Sequence, residues 1–181
     1  EDFNEFKKSM LTLSSQIEKI LELEDDIKDI VKKYLKAKNV FYIGRGMDYY
    51  VAKEGSLKLK EISYIHSEAY AGGELKHGTI ALIEDGTLVV SPITQDQLSG
   101  KMESNIKEVK TRGATVLTII PERMKDVGFS CDVKFVIPDC DEMMAPILAA
   151  LPCQLFAYYM AVNKGCDVDK PRNLAKSVTV E

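Results

Sequence analysis

What this chain lacks narrows its chemistry first. It has no secretory signal peptide and no uninterrupted apolar run of the roughly 20 residues that would span a bilayer, so no membrane partner is expected. It also lacks a basic excess. The net charge is −4 and the pI near 5.4, which argues against nucleic acid as the main partner but leaves room for a local basic pocket around one small phosphate. The four cysteines, at 131, 140, 153 and 166, have none of the short spacings of a zinc knuckle or a redox pair. They read as buried thiols of a reducing compartment, which gives a cytoplasmic location as the expectation. Only two histidines occur, His66 and His77, at a separation that makes a poor metal site. No metal and no cofactor is expected. There is no internal repeat and no low-complexity segment. An initiator methionine is missing: a chain beginning Glu1-Asp2-Phe3 reads as processed or as a piece of a longer protein.

What is present is a globular balance. The chain has 181 residues, 45% hydrophobic and 29% charged, which suits one domain with its own core. Apolar residues recur at helical spacing over 3–21 and 24–37, predicting two amphipathic helices with solvated Lys and Glu faces. From Asn39 the period changes. Short apolar runs at 39–44, 65–70, 87–91, 114–120 and 133–137 predict five strands. Between them, helices are predicted over 48–63, 74–83 and 95–112, the first capped by Asp48. The stretch 145–162 is apolar nearly all round and predicts a buried helix, with Pro146 in its first turn and Pro152 expected to kink or loosen it.

Strands alternating with helices predict a five-stranded parallel sheet in a three-layer α/β/α sandwich. Ligands of such folds sit beyond the carboxyl ends of the strands. That rule selects Gly44–Asp48, Tyr70–His77 and Ser91–Gln95 as the functional edge.

Most of the polar chemistry lies within Gly55–Gly78. Glu54, Lys58 and Glu61 are spaced by four and three, so they share one helix face; alone, this is what a surface salt-bridge stripe looks like. A glutamate held beside a lysine at a pocket edge can also move a proton on and off carbon. Leu57, on an adjacent stripe, is expected to touch the core. His66, placed mid-strand, reads as a structural histidine, and His77, in a loop at the sheet edge, as the better acid–base candidate. Gly44-Arg45-Gly46 reads equally as a tight turn or as an anion-binding turn, and it is not a dinucleotide fingerprint, since Tyr49 stands where the third glycine would be. In the C-terminal stretch 173–181, Lys176 sits among Leu174, Ala175, Val178 and Val180. A lysine pinned there by a docked tail could serve as an amine nucleophile toward a carbonyl. The expectation is that this tail and the Gly55–Gly78 stretch meet in space at one site.

Three strings carry a specific resemblance: EGSLKLKEISYIHSEAYAGGELKHG, MMAPILAALPCQLFAYYMAVNKG and DVDKPRNLAKSVTVE. Through them, nearly the whole chain closely resembles the C-terminal part of the glutamine–fructose-6-phosphate aminotransferases (isomerizing), the glucosamine-6-phosphate synthases. The resemblance implies a second sugar-isomerase (SIS) domain of flavodoxin-like fold over 1–165, its N-terminal helices within 1–38, and a tail over 166–181. It implies use of glutamine-derived ammonia to turn fructose 6-phosphate into glucosamine 6-phosphate. Glu61 matches the glutamate that shuttles a proton between C1 and C2, and Lys58 the lysine that helps hold the open-chain sugar. His77 matches the ring-opening histidine, which reaches the neighbouring subunit's site. Lys176 matches the lysine that forms a Schiff base, and Ala175 beside it is taken as substrate-binding. The implied partners are the sugar phosphate, a second copy in a homodimer, and the glutaminase and first SIS domains of the same chain.

Two features depart from the whole enzyme. The Ser/Thr-rich sugar-phosphate loop of the first SIS domain is absent, and so is the N-terminal cysteine nucleophile of the glutaminase. This stretch by itself is therefore expected to lack glutaminase activity and to bind fructose 6-phosphate weakly or not at all. The alternatives are a non-catalytic phosphosugar-binding regulatory SIS module and a mainly structural dimerisation domain.

Overall fold

A computed structural model describes residues 2–173. Two helices, α1 (Asp2–Glu22) and α2 (Glu24–Tyr34), lead into β1 (Asn39–Gly44). Then come α3 (Met47–Ser63), β2 (His66–Ala71), β3 (Leu88–Pro92), α4 (Ser99–Lys110), β4 (Thr115–Pro121), β5 (Val133–Ile137) and α5 (Ala145–Asn163). All strand pairs are parallel, and the order across the sheet is β2-β1-β3-β4-β5. β2 and β5 are the edges. The central strands are buried on both faces, which is why they read as continuous apolar runs rather than as alternation.

The two faces have separate cores. On one, Tyr42, Leu59, Leu148 and Phe156 join the sheet to α1, α2, α3 and α5. On the other, Phe41, Val89, Met102 and Ile106 join it to α4. The result is the expected α/β/α sandwich. α5 is long and apolar enough to cross a bilayer, but half of its most apolar window is buried inside the fold, against α2, α3 and the sheet. Pro152 does not interrupt it: the helix runs through from Ala145 to Asn163 with Pro152 buried.

Two helical predictions are corrected. The segment 74–83 is a pair of 3-10 turns, Leu75–His77 and Thr79–Leu82, parted by Gly78 at φ 149, which no helix accommodates. α4 starts at Ser99, not Gln95. Gln95 is extended and uses its side chain elsewhere, and a 3-10 turn at Asp96–Leu98 precedes the helix. The cysteines are free, but only Cys153 is fully buried. Burial pushes its thiol up to about 12, and that of half-buried Cys140 up to about 11.

Candidate active site

The predicted functional edge comes together. The Gly72 N–H donates to the Gly44 carbonyl at 2.9 Å, and Gly73 lies against the Arg45 guanidinium, whose Nε donates to Asn105 Oδ1 at 2.9 Å. β1 is flanked by β2 on one side and β3 on the other, so the chain reverses its winding between β1 and β3. That is where this topology offers a crevice.

Here the protein's own groups engage the donors at the start of α3. Gly46, at φ 54, precedes α3, and the Met47 N–H donates to Gln95 Oε1 at 2.8 Å. The next two N–H groups of the helix also have acceptors, the carbonyls of Arg45 and Gly46. The donors an anion would use at this helix start are thus already engaged. Asp48 does not cap α3 as expected. It is buried, and its carboxylate accepts from the Thr94 N–H at 2.8 Å and the Thr94 hydroxyl at 2.6 Å, tying the β1–α3 turn to the segment after β3. Burial raises its pKa, partly offset by these two bonds. A hollow of about 650 Å³ remains beside the turn, lined by Arg45, Tyr49, Tyr50, Glu74 and Leu98.

The paired charges lie elsewhere. α3 begins at the carboxyl edge and runs back to the amino edge, so Glu61, in its last turn, is about 20 Å along the helix from Met47. There Lys58 Nζ lies 2.7 Å from Glu61 Oε2, with the two side chains 35% and 21% exposed. The Glu61 hydrogen bond raises the Lys58 pKa and keeps the ammonium charged. One turn back, Glu54 accepts from the Gln154 amide of α5 at 3.1 Å. Glu54, Lys58 and Glu61 do share a face. Leu57 does not touch the core: it is 48% exposed, on the rim of a hollow of about 590 Å³ between α3 and the edge strand β2.

The chain after α5 returns to this same end of α3. Cys166 Sγ faces the Ser63 carbonyl at 4.0 Å, the Arg172 N–H donates to the Tyr64 hydroxyl at 2.9 Å, and the Arg172 guanidinium stacks 4.1 Å from the Tyr64 ring centre. Ala175 and Lys176 lie outside the described residues. His77 closes its 3-10 turn on the opposite, carboxyl side of the sheet, exposed, with Nε2 4.0 Å from Glu74. One chain therefore joins Lys58, Glu61 and the approach of the tail, but not His77. His66 is not mid-strand. It opens β2, is exposed, and stands 3.9 Å from Glu68.

Tyr64, Arg172 and the plugging role of Gln95 were not found from sequence. Gln95 was inside a segment picked out by the edge rule. Tyr64 and Arg172 carried no signal, because nothing in their spacing shows that residues 108 positions apart meet.

A 2-1-3-4-5 parallel sheet wound on both faces, with a polar carboxyl edge, defines a doubly wound α/β domain. The chain belongs to the SIS-domain family, whose profile matches residues 33–164. It is 54% identical over 181 residues to the glutamine–fructose-6-phosphate aminotransferase (isomerizing) of Clostridium tetani, covering all of this chain and 30% of that protein. It is 50% identical over 169 residues to the Bacillus subtilis protein of the same name, covering 93% of this chain and 28% of that one. Among solved structures, the C-terminal domain of glucosamine-fructose-6-phosphate aminotransferase from Francisella tularensis superposes with a TM-score of 0.87 at 34% identity, covering 91% of this chain and 46% of that one. The chain thus spans about 30% of the length of the curated relatives it matches.

Proposed function

We propose that this chain is the C-terminal half of the sugar site in a glutamine–fructose-6-phosphate aminotransferase, which makes glucosamine 6-phosphate from fructose 6-phosphate and glutamine-derived ammonia. The observation that carries the reading is the Lys58–Glu61 pair, partly shielded at the end of α3 where the tail comes back at Tyr64. Relatives bearing that activity in their names match the whole chain.

The chemistry then assigns each group a role. The Lys176 amine attacks the C2 ketone and water leaves, giving an imine. Ammonia displaces the lysine. The Glu61 carboxylate takes a proton from C1 and returns it to C2 while the C1 hydroxyl proton passes to the imine nitrogen, so C1 becomes an aldehyde and the C2 imine an amine. The Lys58 ammonium holds the open-chain sugar beside Glu61, with Ala175 contributing to binding. His77 opens the sugar ring at the site of a second copy. Its place on the far side of the sheet from Glu61 supports a homodimer in which each site draws on both chains. Residues 1–165 form the domain and 166–181 the tail, with the glutaminase and first SIS domains preceding them.

The regulatory-module reading needs a sugar-phosphate site within this domain. The engaged N–H groups at the start of α3 count against one. The test is glucosamine 6-phosphate formation by the full-length protein, paired with calorimetric titration of fructose 6-phosphate into the 181-residue chain. Synthesis by the former and no binding by the latter at millimolar ligand are expected. Binding by the 181-residue chain that is lost in Lys176→Ala would overturn the half-site reading.

A further inference from the structure

The backbone donors at the β1–α3 turn are spent within the protein, so the turn itself holds no anion. The Arg45 side chain is a different matter. Its Nε donates to Asn105 Oδ1 at 2.9 Å, and Asn105, on the inward face of α4, is only 4% exposed. Its guanidinium also lies against the turn after β2, where a Cβ on Gly73 would come within 3.0 Å of Nη2. A buried amide thus fixes one edge of the fork, and the Gly73 backbone packs on it. The two terminal nitrogens have no hydrogen bond and no carboxylate within 4.0 Å among the described residues. A cation held rigidly by a buried partner, with its paired donors left over, is built to receive an acceptor.

What acceptor fits is set by the surroundings. Arg45 lines the hollow of about 650 Å³ beside the crevice between β1 and β3, a volume that suits a small molecule. Met47, Tyr50 and Leu98 give it apolar walls, with Met47 52% and Tyr50 62% exposed. Gln95 also lines it. Its Oε1 is taken by the Met47 N–H, and its amide nitrogen has no acceptor among the described residues. Glu74 stands on the rim with its side chain 71% exposed. One guanidinium fork matches one carboxylate. A phosphate dianion would need more donors than the fork and one amide supply, and the Glu74 charge repels a dianion more than a monoanion. A sugar would leave hydroxyls unpaired against Met47 and Leu98.

We propose that Arg45 heads a binding site for a small organic monocarboxylate with a flat apolar body. The carboxylate sits on the terminal nitrogens of Arg45, the Gln95 amide donates to it, and the body lies against Tyr50 and Met47. Asn105 is a positioning residue that aims the fork. The site uses none of the groups assigned to the sugar chemistry, so it stands or falls apart from that reading.

The test is titration of benzoate into the 181-residue chain at pH 7, followed by NMR at the Arg45 Nε–H and the Gly73 N–H. Both signals should shift, with a Kd of about 1–10 mM, the range of one partly exposed bidentate pair with an aromatic contact. Benzamide, the neutral isostere, and inorganic phosphate should each bind at least about tenfold more weakly. Arg45→Lys keeps the charge but not the fork, and should weaken benzoate by at least about fivefold. Gly73→Ala keeps Arg45 but crowds its guanidinium, and should weaken benzoate by at least about threefold. Unchanged amide signals of Val89 and Leu117, in the two cores, show that both variants fold. No shift at tenfold the expected Kd, or equal binding of benzamide, overturns the site. So does a benzoate affinity that is the same in wild type and both variants. Phosphate binding as tight as that of benzoate overturns the monocarboxylate assignment.

Discussion

Asp48 and Thr94, 46 residues apart in sequence, share two hydrogen bonds in the interior, one to the Thr94 N–H and one to its hydroxyl. Together with Gln95 on the Met47 N–H, this ties the β1–α3 turn to the segment after β3. Asp48→Ala would leave both Thr94 donors buried without an acceptor, since Thr94 has no exposure to water. The expected loss is about 2–4 kcal/mol in urea unfolding. A loss below about 0.5 kcal/mol would show that the pair does not hold the β1–α3 turn against the segment after β3.

Glu61 should separate activity from stability. Its partner Lys58 is one-third exposed, and such pairs contribute at most about 1 kcal/mol. Glu61→Gln should therefore leave the melting temperature of the 181-residue chain nearly unchanged. In the full-length protein it should cut the rate of glucosamine 6-phosphate formation by about 100-fold or more, the range expected when a general base is removed. Near-normal turnover in Glu61→Gln would remove it from the mechanism.

At Gly55, α3 packs tightly against both the sheet and α5. A Cβ there would lie 2.7 Å from the Tyr42 ring and 2.9 Å from Cys153 Cβ. Alanine favours a helix over glycine by about 1 kcal/mol, but overpacking a rigid core costs about 1–3 kcal/mol, so the clash outweighs the propensity. Gly55→Ala should destabilise by about 1–2 kcal/mol. A more stable variant would mean that α3 can move away from Tyr42 freely.

Acid should weaken the β4–β5 edge through Asp132. Burial alone would raise its pKa. Lys110, at 2.6 and 2.7 Å, and the Val116 N–H at 2.7 Å outweigh that and hold it below the ordinary carboxylate range. A carboxyl lowered in the folded state stabilises the protein above its unfolded pKa, about 4, and that contribution is lost as pH falls through the folded value. Asp132→Asn should therefore be less stable than wild type by about 1 kcal/mol at pH 7, with the gap closing toward pH 3 in parallel denaturation curves. A gap that stays constant with pH would assign the effect to packing.

The layers of this protein can be read from local patterns along the chain. The change from helical spacing to short apolar runs at Asn39, and the glycines and prolines that close those runs, were enough for a five-stranded parallel sheet. So was the all-round apolar character of 145–162 for a buried helix. These are local signals, and burial on both faces writes them directly into composition. The paired charges were legible for the same reason, since spacings of four and three put Glu54, Lys58 and Glu61 on one face wherever the helix packs.

What those residues face depends on packing between distant parts of the chain. Asp48 looks like a helix cap in sequence, yet its carboxylate goes to Thr94. Gly44-Arg45-Gly46 could have held an anion until Gln95, from another strand's end, took the donor. Glu61 and His77 are 16 positions apart in sequence, but β2 runs between them from the amino to the carboxyl edge and leaves them at opposite ends of the sheet. Tyr64 meets Arg172 only because α5 carries the chain back to where α3 ends. Contacts between residues far apart in sequence leave no periodic trace, because their free energy depends on distance in space and not on spacing along the chain.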